Sequence, residues 1–238
     1  MRQKIAVSVI MPARNVGAYI DEAIRSVLSQ RGIRFELLVA DDASTDRTWS
    51  CIRNYLFDPR IRVWRFMKRK GVGATRNHLI SKARGNYLAL CDADDKMLPG
   101  FLRTLADALK RHPSVGVVYG DRWVNMPSGR LRRFRRGRWP AGWDLLQGTL
   151  SNPGTMIRRS LVRKVGGYRA DLPYMEDCEW FWRLAEVTRF LHVRSRPRYF
   201  YRKRLGSLSD RFEKKSRFFK LKLLREVILR RYGFRVPW

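Results

Sequence analysis

Five short apolar runs recur along the chain: "AVSVIM" from Ala6, "FELLVA" from Phe35, "IRVWRF" from Ile61, "YLALC" from Tyr87 and "VGVVYG" from Val115. Between them lie segments whose apolar residues return every three or four positions, Tyr19 to Leu28, Thr45 to Leu56, Thr75 to Ala83 and Phe101 to Leu109. The first pattern predicts buried strands and the second amphipathic helices. Ser44 is the expected N-cap of the second helix, and Pro99 with Gly100 precedes the fourth. Regular alternation of this kind predicts an α/β fold, a mostly parallel sheet flanked by helices and joined by right-handed crossovers. Ligands of such sheets bind beyond the carboxyl ends of the strands. The segments "PARN" (Pro12 to Asn15), "DDASTD" (Asp41 to Asp46) and "DADD" (Asp92 to Asp95) are therefore expected to open onto one crevice.

The last of these segments is out of character for the chain. Lys and Arg number 51 against 21 Asp and Glu, a formal charge of +30, yet three carboxylates crowd into four positions at the end of an apolar run. Closely spaced oxygen ligands suit a hard cation such as Mg²⁺ or Mn²⁺, which offsets their mutual repulsion. An EF-hand loop counted from Asp92 fails, with Met97 in the glycine position and Arg103 in the glutamate position. The residues alone leave a cation site and a plain polar turn both open.

The remaining composition narrows the classes. With 238 residues and a hydrophobic fraction of 45%, the chain can bury a substantial core. No stretch has the eighteen or so apolar residues of a membrane span, and the start "MRQKIAVSVIMPARN" is read as a first buried strand, not a signal peptide. Cys51, Cys91 and Cys178 form no C-x-x-C pair and are read as small core residues in a reducing cytoplasm. The charge points to an anionic partner, whether nucleic acid, membrane surface or phosphorylated substrate. The glycines of "GVGATRN" (Gly71 to Asn77) do not make a dinucleotide fingerprint, because Arg76 stands where the third glycine belongs and the motif follows the third strand. A P-loop is absent.

Taken in order, "VSVIMPARN", "LLVADDASTDRT", "GVGATRNHLISKARGNYLALCDADD", "VGGYR" and "MEDCEWFWRL" resemble the family-two, inverting glycosyltransferases of the GT-A fold, from about Val7 to Ser209. The resemblance implies a nucleotide-sugar donor, UDP-linked, with Mn²⁺ or Mg²⁺ as cofactor. Pro12 and Asn15 match the strand end beside the nucleotide, Asp42 the carboxylate that reads the uracil ring, and Arg76 a basic residue near base and phosphates. "DADD" matches the DXD motif, with Asp92 near ribose or metal and Asp94 as the direct metal ligand. Glu176 and Asp177, on composition first-turn acids favoured by a helix dipole, become by resemblance a positioning residue and the catalytic base. Asp41 and Asp46 remain turn and cap residues, and Asp95 a cap or solvent-facing residue.

Two departures from the family stand out. Arg204 occupies the place of a histidine that follows the "YFYR" strand, and arginine binds diphosphate but does not ligate metal. The Q-x-x-R-W pattern of processive synthases is absent, so transfer of a single sugar is expected. Residues 1–210 are expected to form the catalytic domain, with about 1–120 as the donor half and about 121–210 as the acceptor half. The arginine-rich stretch Arg130 to Arg138 and the tryptophans Trp123, Trp139 and Trp143 are expected beside the acceptor. Residues 211–238 read as a basic amphipathic tail with Phe218, Leu221, Leu224 and Ile228 on one face, either lying on an anionic membrane or packed on its own domain. The expected acceptor is a glycan or lipid-linked precursor of a cell-surface polysaccharide, at the inner face of the membrane. A basic nucleic-acid-binding protein and a nucleotidyltransferase are the rival readings; no nucleic-acid motif supports the first.

Overall fold

The computed structural model describes residues 4–135 and 153–205, together with 207 and 210. All five predicted strands form: β1 (Val7–Ala13), β2 (Phe35–Asp42), β3 (Ile61–Phe66), β4 (Tyr87–Leu90) and, after the two-residue β5 (Lys96–Met97), β6 (Val115–Gly120). Four helices fall between them: α1 (Ile20–Leu28), α2 (Thr48–Arg53), α3 (Val72–Lys82) and α4 (Phe101–Arg111). Beyond Gly120 come β7 (Arg122–Asn125), β8 (Leu131–Phe134), β9 (Thr155–Arg158), α5 (Leu161–Val165), α6 (Glu176–Val187), β10 (Arg189–Val193) and β11 (Tyr199–Arg202).

Seven strands make one sheet in the order β10-β6-β9-β4-β1-β2-β3. Every pairing is parallel except those of β9, which runs against both β4 and β6. Side chains alternate across a strand, and β1 shows the result. Val7, Val9, Met11 and Ala13 join the core beneath α1 and α4, whereas Ile10 joins the core beneath α3 and α6. Both faces are covered, so β2 reads as a continuous buried run.

A second sheet of four strands, β5-β11-β7-β8, stands at one end of the first. Its pairing of Tyr199 with Met97 and Phe200 with Lys96 brings β11 against the segment that follows the acidic turn. The arginine-rich stretch is in part an exposed strand: all four residues of β8 face solvent. Positive side chains on such an edge discourage pairing with another chain. Residues 136–152, with Trp139 and Trp143, and the tail from 211 to 238 lie outside the described residues. Among the described residues no helix is long and apolar enough to cross a membrane.

Two helix starts differ from expectation. The second helix begins at Thr48, not Thr45, because the Thr45 N–H donates to Asn15 Oδ1 (2.9 Å) and the Thr48 N–H to Asp46 Oδ1 (2.9 Å). Ser44 is accordingly no N-cap; its Oγ accepts the Asn15 N–H (3.0 Å). The third helix starts earlier, at Val72, since Gly71 takes φ 90°, a left-handed turn open to a residue without Cβ.

Candidate active site

The carboxyl ends of β1, β2 and β4 lie side by side in the sheet, and polar contacts join the loops of β1 and β2. Pro12 is half-buried near the end of β1, and Asn15 reaches across to the β2 loop through Ser44 and Thr45. Arg14 donates to the carbonyls of Asp42 (2.5 Å) and Ala43 (2.9 Å). The buried Asp42 carboxylate accepts the N–H groups of Lys70 (2.6 Å) and Gly71 (3.0 Å), so it fixes the loop that opens α3. Each carboxylate oxygen has a second lone pair, which leaves acceptor capacity for a ligand N–H. Asp41, expected as a turn residue, is instead a buried residue of β2, paired with Ala13 and Arg65, and its Oδ1 accepts the Ser44 N–H from the loop that follows.

Asn15, Ala43 and Met175 are the described non-glycine residues with positive φ, at 48°, 53° and 62°. All three stand at the candidate site, at the ends of β1 and β2 and immediately before α6. Left-handed backbone costs an L-residue roughly 1–2 kcal/mol and persists only where surrounding contacts determine it.

Arg76, on the second turn of α3, is the hub of the site. Its guanidinium is buried and donates to Asp92 Oδ1 at 2.7 Å and to Glu176 Oε1 at 2.5 Å, with the Tyr168 ring 5.4 Å away. It thereby ties the end of β4 to the first turn of α6. Burial works against its charge, and Asp92 and Glu176 more than offset that, so Arg76 stays protonated. Glu176 is pushed up to about 7, first by burial and then by Asp177, with Arg76 opposing. One guanidinium shared between Asp92 and Glu176 does not fully compensate the acids around it. Asp177, the next residue, is half-exposed, and its Oδ1 accepts the Cys178 N–H at 2.8 Å.

The "VGGYR" segment holds α6 and α3 in register. Arg183 donates to the carbonyls of Val165 and Gly167 while pairing with Glu179, and Trp180 Nε1 donates to the Gly166 carbonyl (2.9 Å). From α3, the Asn77 amide donates to the Tyr168 carbonyl (2.8 Å) and accepts the Tyr168 N–H (2.7 Å). Gly167 makes this possible: a Cβ there would lie 2.3 Å from Asn77 Oδ1.

Asp92, Asp94 and Asp95 have three different environments. Asp95 neither caps nor faces solvent: it is 1% exposed, with Oδ2 accepting from the Tyr199 hydroxyl (2.9 Å) and Oδ1 from the Arg202 N–H (2.8 Å). Burial, then Asp94 and Asp92, push its proton affinity well up. The Tyr199 hydroxyl also accepts the Asp92 N–H at 3.3 Å. Asp94 Oδ2 accepts from Arg204 Nε at 2.6 Å; burial raises its proton affinity, with Arg204 opposing and Asp92 adding to the rise. No three Asp, Glu, His or Cys side chains converge into a preformed metal cage among the described residues. The carboxylate oxygens of Asp94 and the neighbouring Asp92 are nevertheless the donor type that a hard cation takes.

The family model for glycosyl transferase family 2 matches residues 8–166. The chain belongs to this family. It is 32% identical over 200 residues to an uncharacterized protein of Mycobacterium tuberculosis, MT1568, covering 76% of this chain and 62% of that protein. It is 27% identical over 195 residues to the chondroitin synthase of Escherichia coli, covering 79% of this chain and 27% of that protein. Both relatives are thus considerably longer than the matched region. The crystal structure of S. aureus TarS 1–349 in complex with UDP-GlcNAc superposes with a TM-score of 0.75 at 22% identity, covering 97% of this chain and 74% of that one. The likeness establishes a GT-A fold.

Within this family-two fold, Pro12, Asn15 and Asp42 lie at the neighbouring ends of β1 and β2, Arg76 ties Asp92 to the helix that bears Asp177, and Asp94 stands in the same turn as Asp92. Four contributors had no sequence signal. Tyr199 acts through its hydroxyl, and Arg202 and Met175 through their backbone, in placements that no local pattern encodes. Asn77 reads as one more polar helix residue until Gly167 is seen against it.

Proposed function

We propose that the protein transfers a sugar, with inversion, from a UDP-sugar to a hydroxyl of a glycan or lipid-linked acceptor, with Mn²⁺ or Mg²⁺ held by Asp94. The observation that carries the reading is the buried bridge Glu176–Arg76–Asp92, which fixes the donor-side acidic turn and the helix bearing Asp177 as one rigid unit. Inverting transfer needs that rigidity, because a base must remove the acceptor proton as the acceptor oxygen attacks opposite the departing diphosphate.

Asp177 is the base: it is half-exposed, whereas Glu176 is buried and held by Arg76. Glu176 positions the helix and keeps negative charge beside Asp177, which favours proton uptake there. Asp42 and Asn15 shape the base pocket, and Arg76 orients Asp92 toward the ribose. When bound, the cation supplies electrostatic stabilisation of the charge that develops on the diphosphate. The complex of TarS with UDP-GlcNAc supports a UDP-linked donor, and the chondroitin synthase relative supports a role in polysaccharide synthesis. The three free thiols and the charge of +30 favour a cytoplasmic protein working at an anionic inner membrane face.

Calorimetric titration with nucleotide sugars in the presence of Mn²⁺, followed by slow donor hydrolysis, tests this without an acceptor. Binding and hydrolysis of at least one UDP-sugar is the expected result. Absence of any nucleotide-sugar binding, together with salt-sensitive binding to nucleic acid, refutes it.

A further inference from the structure

Three guanidiniums surround the acidic turn, and they are held differently. Arg76 is enclosed between two carboxylates. Arg202, the last residue of β11, donates to Glu22 Oε2 (2.7 Å) and the Asp94 carbonyl (3.0 Å) and stands 4.8 Å from the Tyr19 ring. Arg204 lies beyond the strand. Among the described residues its ion pair is with Asp94, at 2.6 Å, and its guanidinium is 5.5 Å from the Tyr19 ring. The Arg204 side chain keeps 25% of its exposure. Two of the three are structural ties, and the third is free to move if Asp94 finds another partner.

Arg204 occupies one oxygen of Asp94, the carboxylate read as the cation's ligand. A divalent ion drawn to that carboxylate meets the guanidinium at close range, and the two positive groups repel. Asp94 itself, half-buried beside Asp92 and Asp95, is stabilised as a carboxylate by a positive neighbour. A diphosphate resolves the conflict, since it brings the negative charge that a displaced guanidinium recognises through paired N–H groups.

We propose that Arg204 is an exchangeable counter-ion: it holds Asp94 in the donor-free enzyme, then yields Asp94 to the divalent cation as its guanidinium passes to the donor diphosphate. The inference rests on the reading of Asp94 as the cation ligand. It makes cation and nucleotide bind with positive coupling, because each removes an obstacle to the other. The cation alone competes with Arg204 and binds weakly.

The test uses the full chain, with free Mn²⁺ followed by electron paramagnetic resonance and UDP binding by calorimetry. Arg204→Gln is expected to bind Mn²⁺ alone about tenfold more tightly, the scale of a lost charge-assisted hydrogen bond. It is expected to bind UDP with Mn²⁺ about tenfold more weakly, having lost a phosphate contact of the same kind. Should thermal unfolding show Arg204→Gln to be misfolded, Arg204→Met, which keeps the apolar stem against Tyr19, is read in its place. Unchanged or weaker binding of Mn²⁺ alone by the folded variant overturns the inference. Asp94→Asn separates the two readings. If it abolishes Mn²⁺ binding while the Arg204 variant leaves Mn²⁺ alone unaffected, only the counter-ion inference fails. If it leaves Mn²⁺-dependent UDP binding intact, the cation ligand is elsewhere and both fail.

Discussion

Arg76→Met removes the charge at the centre of the buried bridge while keeping an apolar stem beside Tyr168. Breaking a buried ion pair commonly costs about 3–5 kcal/mol, because a charge is left stranded. Here the loss is smaller and depends on pH. Glu176 has its folded pKa raised to about 7 against an ordinary 4.5. A raised acid contributes stability that is complete below the unfolded pKa and is lost as pH climbs through the folded one. In the wild type that loss levels off above about pH 7. In the variant the opposing pull of Arg76 is gone, the folded pKa rises further, and the loss continues. At pH 7 the protonated and ionised forms of Glu176 are nearly equal, so forcing the proton on costs only about half a kcal/mol, growing to about 1–2 kcal/mol at pH 8. Asp92, whose side chain is 27% exposed, is rehydrated instead of stranded, and the broken hydrogen bonds add about 1–2 kcal/mol. Urea unfolding at pH 6, 7 and 8 is expected to show a loss of about 2 kcal/mol at pH 7 that increases with pH. A loss independent of pH, or one that shrinks as pH rises, refutes the reasoning.

Asp177→Asn is expected to retain UDP-sugar affinity and to lower single-turnover transfer by about a hundredfold to ten-thousandfold; wild-type transfer by this variant shows that another group takes the proton. Gly167→Ala puts a Cβ 2.3 Å from Asn77 Oδ1, so the Asn77 amide must abandon both bonds to Tyr168. A destabilisation of about 2–4 kcal/mol follows, and thermal unfolding close to wild type is the contrary result. Tyr199→Phe deletes the hydroxyl that links Asp95 to the Asp92 N–H, at an expected cost of about 1–3 kcal/mol in denaturant unfolding; a variant as stable as the wild type shows that water replaces the hydroxyl.

The half before Gly120 was legible because its information is local and periodic. The inner strands β1, β2 and β4 are buried on both faces and so appear as nearly uninterrupted apolar runs, and α1 and α4 carry a clear apolar repeat. The rule that ligands gather at strand carboxyl ends then brought Asn15, Asp42 and Asp92 together before any contact was known. The half beyond Gly120 was less legible. There, β9 runs antiparallel into the middle of the sheet between β4 and β6, a placement set by long-range pairing that no four-residue segment announces. Asp95 illustrates the same limit at the site. As the last acid of a polar run it reads as solvent-facing, and only the return of β11, about a hundred residues later, buries it under Tyr199 and Arg202.

Charge counting links the acidic turn to the basic chain around it. Among the described residues, Glu22, Asp92, Asp94, Asp95 and Glu176 supply five carboxylates, and Arg76, Lys96, Arg202 and Arg204 supply four cations that pair with them or contact them. The carboxylates exceed these cations by one. In the donor-free protein the shortfall falls on the least hydrated acids, Asp95 and Glu176, whose proton affinities burial raises. A divalent cation carries the charge that would relieve it, so an arginine-rich protein keeps one locally acidic end of its sheet. The net charge of +30 and the acidic turn are therefore complementary. On the proposed function, long-range attraction would draw an anionic nucleotide toward the protein, and the local deficit would favour a nucleotide that arrives with its cation over one that arrives alone.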